Sequence, residues 1–578
     1  MHYTSVENIH RLIDPLFLDE LHDEFKAARR KSKANRRHAL EAFQLKLASL
    51  RFFDPACGSG NFLTETYISI RTLENETLAA LRALGAPCEV LVSIENFYGI
   101  EINNFAVAVA RTALWIAENQ MLKRTASILE KELDFLPLTS AAHITCGNAL
   151  RLDWNEVVPD GGDYIISNPP FVGRRYQTPT QRTEIAQLFN YKDIDYVACW
   201  FKRAAQFMSA TQSRAALVAT NSIVQGEQVA AVWKDILSVA HIDFAHRTFK
   251  WISDSDDPAA VHCVIIGFST APKPKPRIIF DGKDEIIAKN INAYLLDAPD
   301  FFIEGRAKPI CNVPPMRNGN MPADGKNLII TADQIDDFIR REPRAKKFIR
   351  PLLGADEFIK GKRRYCLWLV DATADEIASM PTVAARVEAV RQFRLNSTFK
   401  NLIDTPHLFR DRNDPERFIV VPVVSSERRR YIPIGFMSKG TITTTQVQII
   451  PDATLFHFGV LTSLVHMAWM RVVAGRLEMS YRYSATIVYN NFPWCARTSA
   501  IEKTAARILE VRKQFGDRSL ASLYDDQTMP DELRAAHLEN DNAVLDAYGF
   551  ARDMSESEIV SRLMAMYQEL VSSSTTRA

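Results

Sequence analysis

The sequence predicts an α/β protein: a doubly wound parallel sheet in the first half, a mixed α/β region after it, and a helical end. Three observations carry this. Between residues 50 and 268, short apolar runs alternate with longer stretches of helical spacing, the pattern of strands joined by crossover helices. A region beginning near Pro309 is rich in Gly, Pro and Arg and holds further strand-like runs. From about Ala500 the pattern turns helical and polar. At 578 residues the chain exceeds the roughly 250–300 at which a single core stops growing, so more than one core is expected.

Taken in order, strands are predicted at 51–53, 96–100, 143–146, 163–167, 215–220 and 260–268. Helices fall between them at 65–84, 106–120 and 197–208, the second with the apolar spacing of a face laid on a sheet. The alternating prolines of 271–277 cannot continue a central strand or a helix and mark a domain edge. Beyond it, strand-like runs stand at 366–370, 418–424 and 446–450. A helix then runs toward a stop at Gly516, and another covers 556–570. There is no internal repeat.

Composition excludes several classes. No apolar run is long enough to span a bilayer, and Met1 is followed by polar residues rather than a basic stretch and an apolar core, so a soluble, cytoplasmic protein is expected. The eight cysteines (Cys57, Cys88, Cys146, Cys199, Cys263, Cys311, Cys366 and Cys495) lie too far apart for a zinc knuckle or redox motif and read as reduced, mostly buried thiols. A formal net charge of +1 does not speak for or against nucleic acid, because a basic face can be balanced elsewhere.

The most informative stretch is Phe53-Asp54-Pro55-Ala56-Cys57-Gly58-Ser59-Gly60-Asn61-Phe62, between a strand and a helix. Glycines there let a ligand approach the backbone, and the helix start offers free amide donors. Asp54, at the strand end, is placed to accept a hydrogen bond from a cofactor's amino group. An ordinary glycine turn or a dinucleotide fingerprint is the plainer reading, but the string departs from G-x-G-x-x-G. A second strand end carries Glu101-Ile102, where a carboxylate can grip ribose hydroxyls and an apolar side chain can pack on an adenine ring. The long spacing from Gly60 calls for an inserted helix and loop.

After the fourth strand stands Ile166-Ser167-Asn168-Pro169-Pro170-Phe171. An exocyclic amine on a base ring is a poor nucleophile because its lone pair is delocalised. The Asn168 side-chain oxygen and the Pro169 carbonyl can hold its two hydrogens and favour a tetrahedral nitrogen aimed at a sulfonium methyl. Pro169 and Pro170 stiffen the loop, so those acceptors are preorganised. Phe171 offers a face on which an extruded base can stack. A rigid turn is the plainer reading of the tetrapeptide. No general base is needed, and His143 and His262, in apolar strands, read as core residues.

With these residues in hand, the chain resembles the gamma class of amino-methyltransferases acting on DNA, and most closely the MmeI-like, type IIL restriction–modification enzymes. The resemblance implies a Rossmann-like, class I S-adenosylmethionine-dependent methyltransferase domain at 1–305, a mixed α/β target-recognition domain at 306–499 and a helical region at 500–578. It implies N6-methylation of adenine in double-stranded DNA by base flipping. In that family the N-terminal motif contacts the cofactor, and His2-Tyr3-Thr4-Ser5 matches it. Asp54, Ala56, Gly58, Gly60 and Phe62 match the glycine motif, Glu101 and Ile102 the ribose and adenine contacts, and Asn168 to Phe171 the catalytic motif. Gly147-Asn148-Ala149-Leu150 matches a further cofactor motif, though many gamma enzymes carry Asp where Asn148 stands. The likeness continues through 354–369, 424–433 and 483–494 in the region used for target recognition. No nuclease or connector precedes the first motif here, so a modification-only protein is expected, alone or with other subunits of a phage-defence system.

Basic residues in the second region, including Arg363, Arg364, Arg428 and Arg430, are interleaved with aromatics and can neutralise phosphates or face guanine edges. A solvated face is the plainer reading of any one of them. Three alternatives stay open: N4-cytosine methylation, methylation of RNA or of a protein glutamine, and a DNA-binding subunit that senses cofactor without transferring methyl groups.

Overall fold

The computed structural model describes residues 4–130, 141–159, 161–251, 261–270, 276–477 and 479–575. Tyr3, most of the proline-rich 271–277 stretch and Ala260 lie outside them. The chain folds as two units, Met1–Phe302 and Ile303–Ala578.

The first unit opens with three helices, α1 (Val6–Ile13), α2 (Asp19–Arg30) and α3 (Lys33–Ser49). Strand and helix then alternate: β1 (Phe52–Asp54), α4 (Asn61–Arg82), β2 (Phe97–Glu101), α5 (Asn104–Leu129), β3 (His143–Cys146), the short α6 (Trp154–Val157), β4 (Tyr164–Ser167), α7 (Pro179–Leu188), α8 (Ala198–Ser209), β5 (Arg214–Thr220) and α9 (Gln228–Val239). Four more strands finish it, β6 (His241–Trp251), β7 (Val261–Ser269), β8 (Arg277–Asp281) and β9 (Asp284–Ala288).

All nine strands form one sheet in the order β3-β2-β1-β4-β5-β7-β6-β8-β9. β1 to β5 are parallel, and β7 runs antiparallel between β5 and β6. The winding reverses between β1 and β4, so those two strand ends border the crevice where open α/β sheets take their ligands. Aromatic side chains fix this centre. Phe52 stacks between Phe97 and Tyr164 of the flanking strands, at ring distances of 5.0 and 5.7 Å, and such contacts add to the area they bury.

Several parts of this unit were not anticipated: α7, α9, β8 and β9, and above all the N-terminal helices and β6. The N-terminal helices carry many Lys, Arg and Glu residues, yet Ile9 and Leu12 of α1, Leu21 and Phe25 of α2, and Leu40 and Phe43 of α3 all join the sheet's core. β6 is hidden because its His, Arg and Lys residues and two register shifts break the alternation of a strand. The predicted insertion between the glycine motif and β2 is α4 with the loop after it, braced by a buried ion pair. Arg71 bonds Glu74, both fully buried, and Glu74 accepts from Gln44 Nε2 (2.8 Å) and from the backbone of Leu91 (2.8 Å). Arg71 also donates to Thr125 Oγ1 on α5 at 2.7 Å. Breaking such a pair by removing one partner is costly, so these residues fix the insert rather than contact ligand.

The second unit holds two four-stranded sheets and a three-stranded ribbon. One sheet pairs Arg417–Pro422 between Gly435–Ser438 and Val447–Pro451; the other pairs Arg364–Leu367 between Ile329–Thr331 and Ile349–Leu353. The apolar helices Leu455–Leu461 and Leu464–Val473 are covered by Ser499–Gln514, Asp531–Tyr548 and Glu556–Thr575. The helical end therefore packs into this unit, and the Asp531–Tyr548 helix is an element the sequence reading missed.

No single helix among the described residues is long and apolar enough to cross a membrane. All eight cysteines are free, four of them buried, three half-buried and Cys146 exposed. His143 corrects the expectation of a core histidine: it is exposed and stacks on Tyr98 at 5.0 Å, because β3 is the edge of the sheet.

Candidate active site

The C-terminal ends of β1, β2 and β4 converge, and backbone bonds zip the loops that leave them. The Cys57 amide donates to the Ile100 carbonyl (3.0 Å) and the Gly147 amide to the Glu101 carbonyl (2.9 Å). Gly58 and Gly60 both take left-handed backbone conformations, with φ of +54° and +84°. A side chain at Gly60 would meet Ala110 at 3.0 Å, whereas one at Gly58 would project into open space. α4 starts directly after Gly60 with no side-chain cap, so the amides of its first turn are available to an outside acceptor.

Asp54 ends β1 fully buried. Its Oδ1 accepts from Ser167 Oγ (2.6 Å) and from the Ala56 amide (3.0 Å). Burial raises its pKa to about 7, against the pull of those two bonds, and the nearby Glu101 carboxylate adds a little. Glu101 is itself tied into the loops: Oε2 accepts from the Gly58 amide (3.0 Å) and Oε1 from the Asn103 amide (2.9 Å). The next residue, Ile102, is 70% exposed at the strand end.

Asn168 follows Ser167 across the switch point. Its Nδ2 donates to Thr4 Oγ1 at 3.4 Å, and Thr4 is buried. Its Oδ1 is shut off from solvent and has no hydrogen-bond partner among the described residues. A desolvated acceptor without a donor costs about 1–3 kcal/mol, so the loop stores an unmet bond. Pro169 is buried, Pro170 exposed, and Phe171 half-buried against the sheet's core.

The structure thus brings together Thr4, Asp54, Ala56, Gly58, Gly60, Glu101, Ile102 and Asn168 to Phe171. Two expected cofactor residues are placed differently. The Phe62 ring is in the core, leaving only its backbone amide for a ligand. Asn148 has both amide atoms in use, Nδ2 donating to Glu184 (2.9 Å) and Oδ1 accepting from Leu150 (2.9 Å).

Sequence reasoning missed Ser167, although it directly precedes Asn168 and ends a strand. It also missed Glu184, which no local pattern marks: this buried carboxylate gathers Asn148, Arg151 and the Tyr196 hydroxyl, and so pins the chain that returns from the catalytic loop. Trp200 Nε1 steadies the glycine motif by donating to the Pro55 carbonyl at 3.1 Å.

In the second unit Arg363 and Arg428 are exposed and have no ion-pair partner among the described residues. Arg364 is engaged with Glu357 at 2.9 Å, and the exposed Arg430 lies over the Tyr431 ring, 5.7 Å from its centre.

Residues 28–281 match the family description "MmeI, DNA-methyltransferase domain", residues 297–496 "MmeI, target recognition domain" and residues 495–574 "MmeI, C-terminal domain". The fold is similar to the type IIL restriction-modification enzyme MmeI, solved in complex with DNA, with a TM-score of 0.91 and 41% identity over 99% of this chain and 79% of that one. DNA methyltransferase A of Bacillus subtilis (strain 168) is 38% identical over 99% of this chain, and the match spans 66% of that relative's length. Three consecutive domain matches and a solved structure alike along nearly the whole chain place this protein in the MmeI family of DNA methyltransferases.

Proposed function

We propose that this chain is a sequence-specific DNA methyltransferase acting on N6 of an everted adenine in double-stranded DNA, in the cytoplasm, as part of a restriction-modification or other phage-defence system. One observation carries the reading beyond the family: Asn168 presents a buried, unpaired acceptor on a proline-stiffened loop at the switch point, next to the Ser167 that bonds Asp54. An amine hydrogen is the donor this acceptor lacks.

S-adenosylmethionine supplies, when bound, a methyl group on a positively charged sulfur. The residues present fit it. The open space over Gly58 and the uncapped start of α4 leave room and donors for a polar ligand. Asp54 would accept from its amino group, Glu101 from the ribose hydroxyls, and exposed Ile102 would cover the adenine ring. Thr4, Ala56, Gly60 and the Phe62 and Asn148 backbones line the same strand ends; Tyr3 belongs to the same proposed set.

Asn168 Oδ1 and the Pro169 carbonyl accept the two hydrogens of the target amine and draw its nitrogen toward a tetrahedral shape with a localised lone pair. Both acceptors are fixed before the base arrives, so little reorganisation is needed at the moment of reaction. Thr4 holds the amide nitrogen of Asn168 and so leaves the oxygen for the base. Phe171 stacks on the base, and the extra proton leaves to solvent after transfer. Arg363, Arg428 and Arg430 of the second unit meet DNA phosphates or base edges, and Arg364, held by Glu357, braces the segment that carries Arg363.

The test is mass spectrometry of nucleosides from a host expressing either the wild-type chain or Asn168→Ala. N6-methyladenine is expected with the first and not with the second. N4-methylcytosine in its place would overturn the choice of base, and N6-methyladenine persisting in the variant would overturn the role of Asn168.

A further inference from the structure

Tyr176 is the most exposed large hydrophobic side chain among the described residues, at 76%, and it stands five residues after Phe171. Its exposure is not the looseness of a floppy loop. The turn Arg174–Tyr176 is anchored on both sides: Gln177, buried, donates Nε2 to the Ile194 carbonyl (2.8 Å) and the Val172 carbonyl (3.2 Å). The Tyr196 amide also bonds the Val172 carbonyl (3.1 Å), Arg174 pairs with Asp193, and Thr178 starts α7 with a reciprocal capping box. A backbone fixed this firmly, with an aromatic ring left in water, holds the ring out for a partner.

The partner is set by what lies beside it. A base everted onto Phe171 leaves a gap in the stack of the duplex, and a planar aromatic group close to the catalytic loop can fill it. Arg175, exposed and with its guanidinium 5.9 Å from the Tyr176 ring centre, supplies positive charge where flanking phosphates would pass. We propose that Tyr176 is a positioning residue that enters the DNA stack at the site vacated by the target base and holds the everted state open. This rests on the base-flipping reading above.

The experiment uses the full chain and two duplexes carrying the sequence that the wild-type protein methylates in its host. In one the target adenine is paired with thymine; in the other it faces an abasic site, which weakens its hold in the helix. For Tyr176→Ala, single-turnover methylation of the paired duplex should fall roughly tenfold to a hundredfold, the size set by the unstacking cost. On the abasic duplex the same variant should recover to within about threefold of wild type, a difference too small to reflect lost eversion. Tyr176→Phe, which keeps the ring, should match wild type on both, and cofactor affinity should not change.

A wild-type rate for Tyr176→Ala on the paired duplex, or an equal loss on both duplexes, would overturn the proposal. Failure of the underlying reading looks different: Asn168→Ala would then stay active, or wild type would methylate neither duplex.

Discussion

In the catalytic unit residues of the family motifs stand at strand ends with something still open: Asn168 lacks a donor, Gly58 faces empty space and Ile102 stands in solvent. In the recognition unit many of the motif residues turn inward. Asn491 donates Nδ2 to the carbonyls of Glu304, Thr486 and Ile487, Asn490 to that of Arg306, and the Tyr489 hydroxyl to that of Pro314. Tyr431 bonds Asp541 at 2.6 Å, and Asp541 also accepts from the Leu464 amide. The same kind of sequence match therefore falls on open groups in one unit and largely on inward-facing, hydrogen-bonded ones in the other. An unpaired atom alone does not separate the two, since Asn490 and Asn491 also leave a buried Oδ1 without a partner among the described residues. What separates them is place: only Asn168 sits at the switch point of a parallel sheet, beside groups that are open as well.

The largest effect that would break this comparison is on stability. Asn491→Leu removes a donor shared by three backbone carbonyls and should cost about 2–3 kcal/mol in denaturant unfolding. Asn168→Ala removes an acceptor that was never satisfied, so its stability should stay within about 1 kcal/mol of wild type or rise. Its methyl transfer should nonetheless fall by about 10²–10³-fold, as when one preorganised group is taken from a reaction centre. Equal losses of stability in the two variants would erase the distinction between the units.

A smaller effect sharpens the catalytic side. The pKa of Asp54 is raised in the fold to about 7, first by burial, so its protonated form is favoured there relative to the unfolded chain. The sign follows: its stabilising contribution is complete below the ordinary carboxylate range and is lost as pH rises through about 7. Cofactor-free protein should therefore melt lower at pH 8 than this group would allow at pH 5, and Asp54→Asn should lack that part of the fall, read by calorimetry. Affinity for S-adenosylmethionine should run the other way. Below about pH 7 it should drop by up to about tenfold per pH unit, the slope of one proton, and Asp54→Asn should bind weakly with a flat profile. A flat profile for wild type would mean that the carboxylate is not what the ligand meets.

How much of this was legible in the sequence follows the same division. β1, β2, β4 and β5 were readable because a central parallel strand is a short, near-continuous apolar run, β7 because it is just as apolar although antiparallel, and the loops after β1 and β4 carry residues with strong local requirements, Gly58, Gly60, Pro169 and Pro170. β6 and the N-terminal helices were not, because their buried positions are spaced among charged residues whose long side chains reach solvent. Ser167 and Glu184 bond segments distant in sequence, 113 and 36 residues from Asp54 and Asn148, and no local pattern carries such pairs. Arg364 looked like its neighbour Arg363, and only the fold shows that Glu357 holds it.

That last pair gives the smallest effect and the finest test of the recognition unit. Arg428 and Arg363 are exposed and unpaired among the described residues, so replacing either by alanine should leave the fold intact and weaken DNA binding a few-fold. Removing a guanidinium that meets a phosphate should also lower the salt slope of binding by about one. Arg364→Ala removes the partner of Glu357, a carboxylate that also accepts from the Gly354 amide, so its first effect should be on stability, with any loss of DNA affinity following from that. Gel shifts at two salt concentrations beside a melting curve distinguish the cases. If Arg364→Ala melts like wild type and changes the salt slope while Arg363→Ala does not, the assignment of Arg364 to scaffolding is reversed, and its neighbour's exposure has no bearing on DNA.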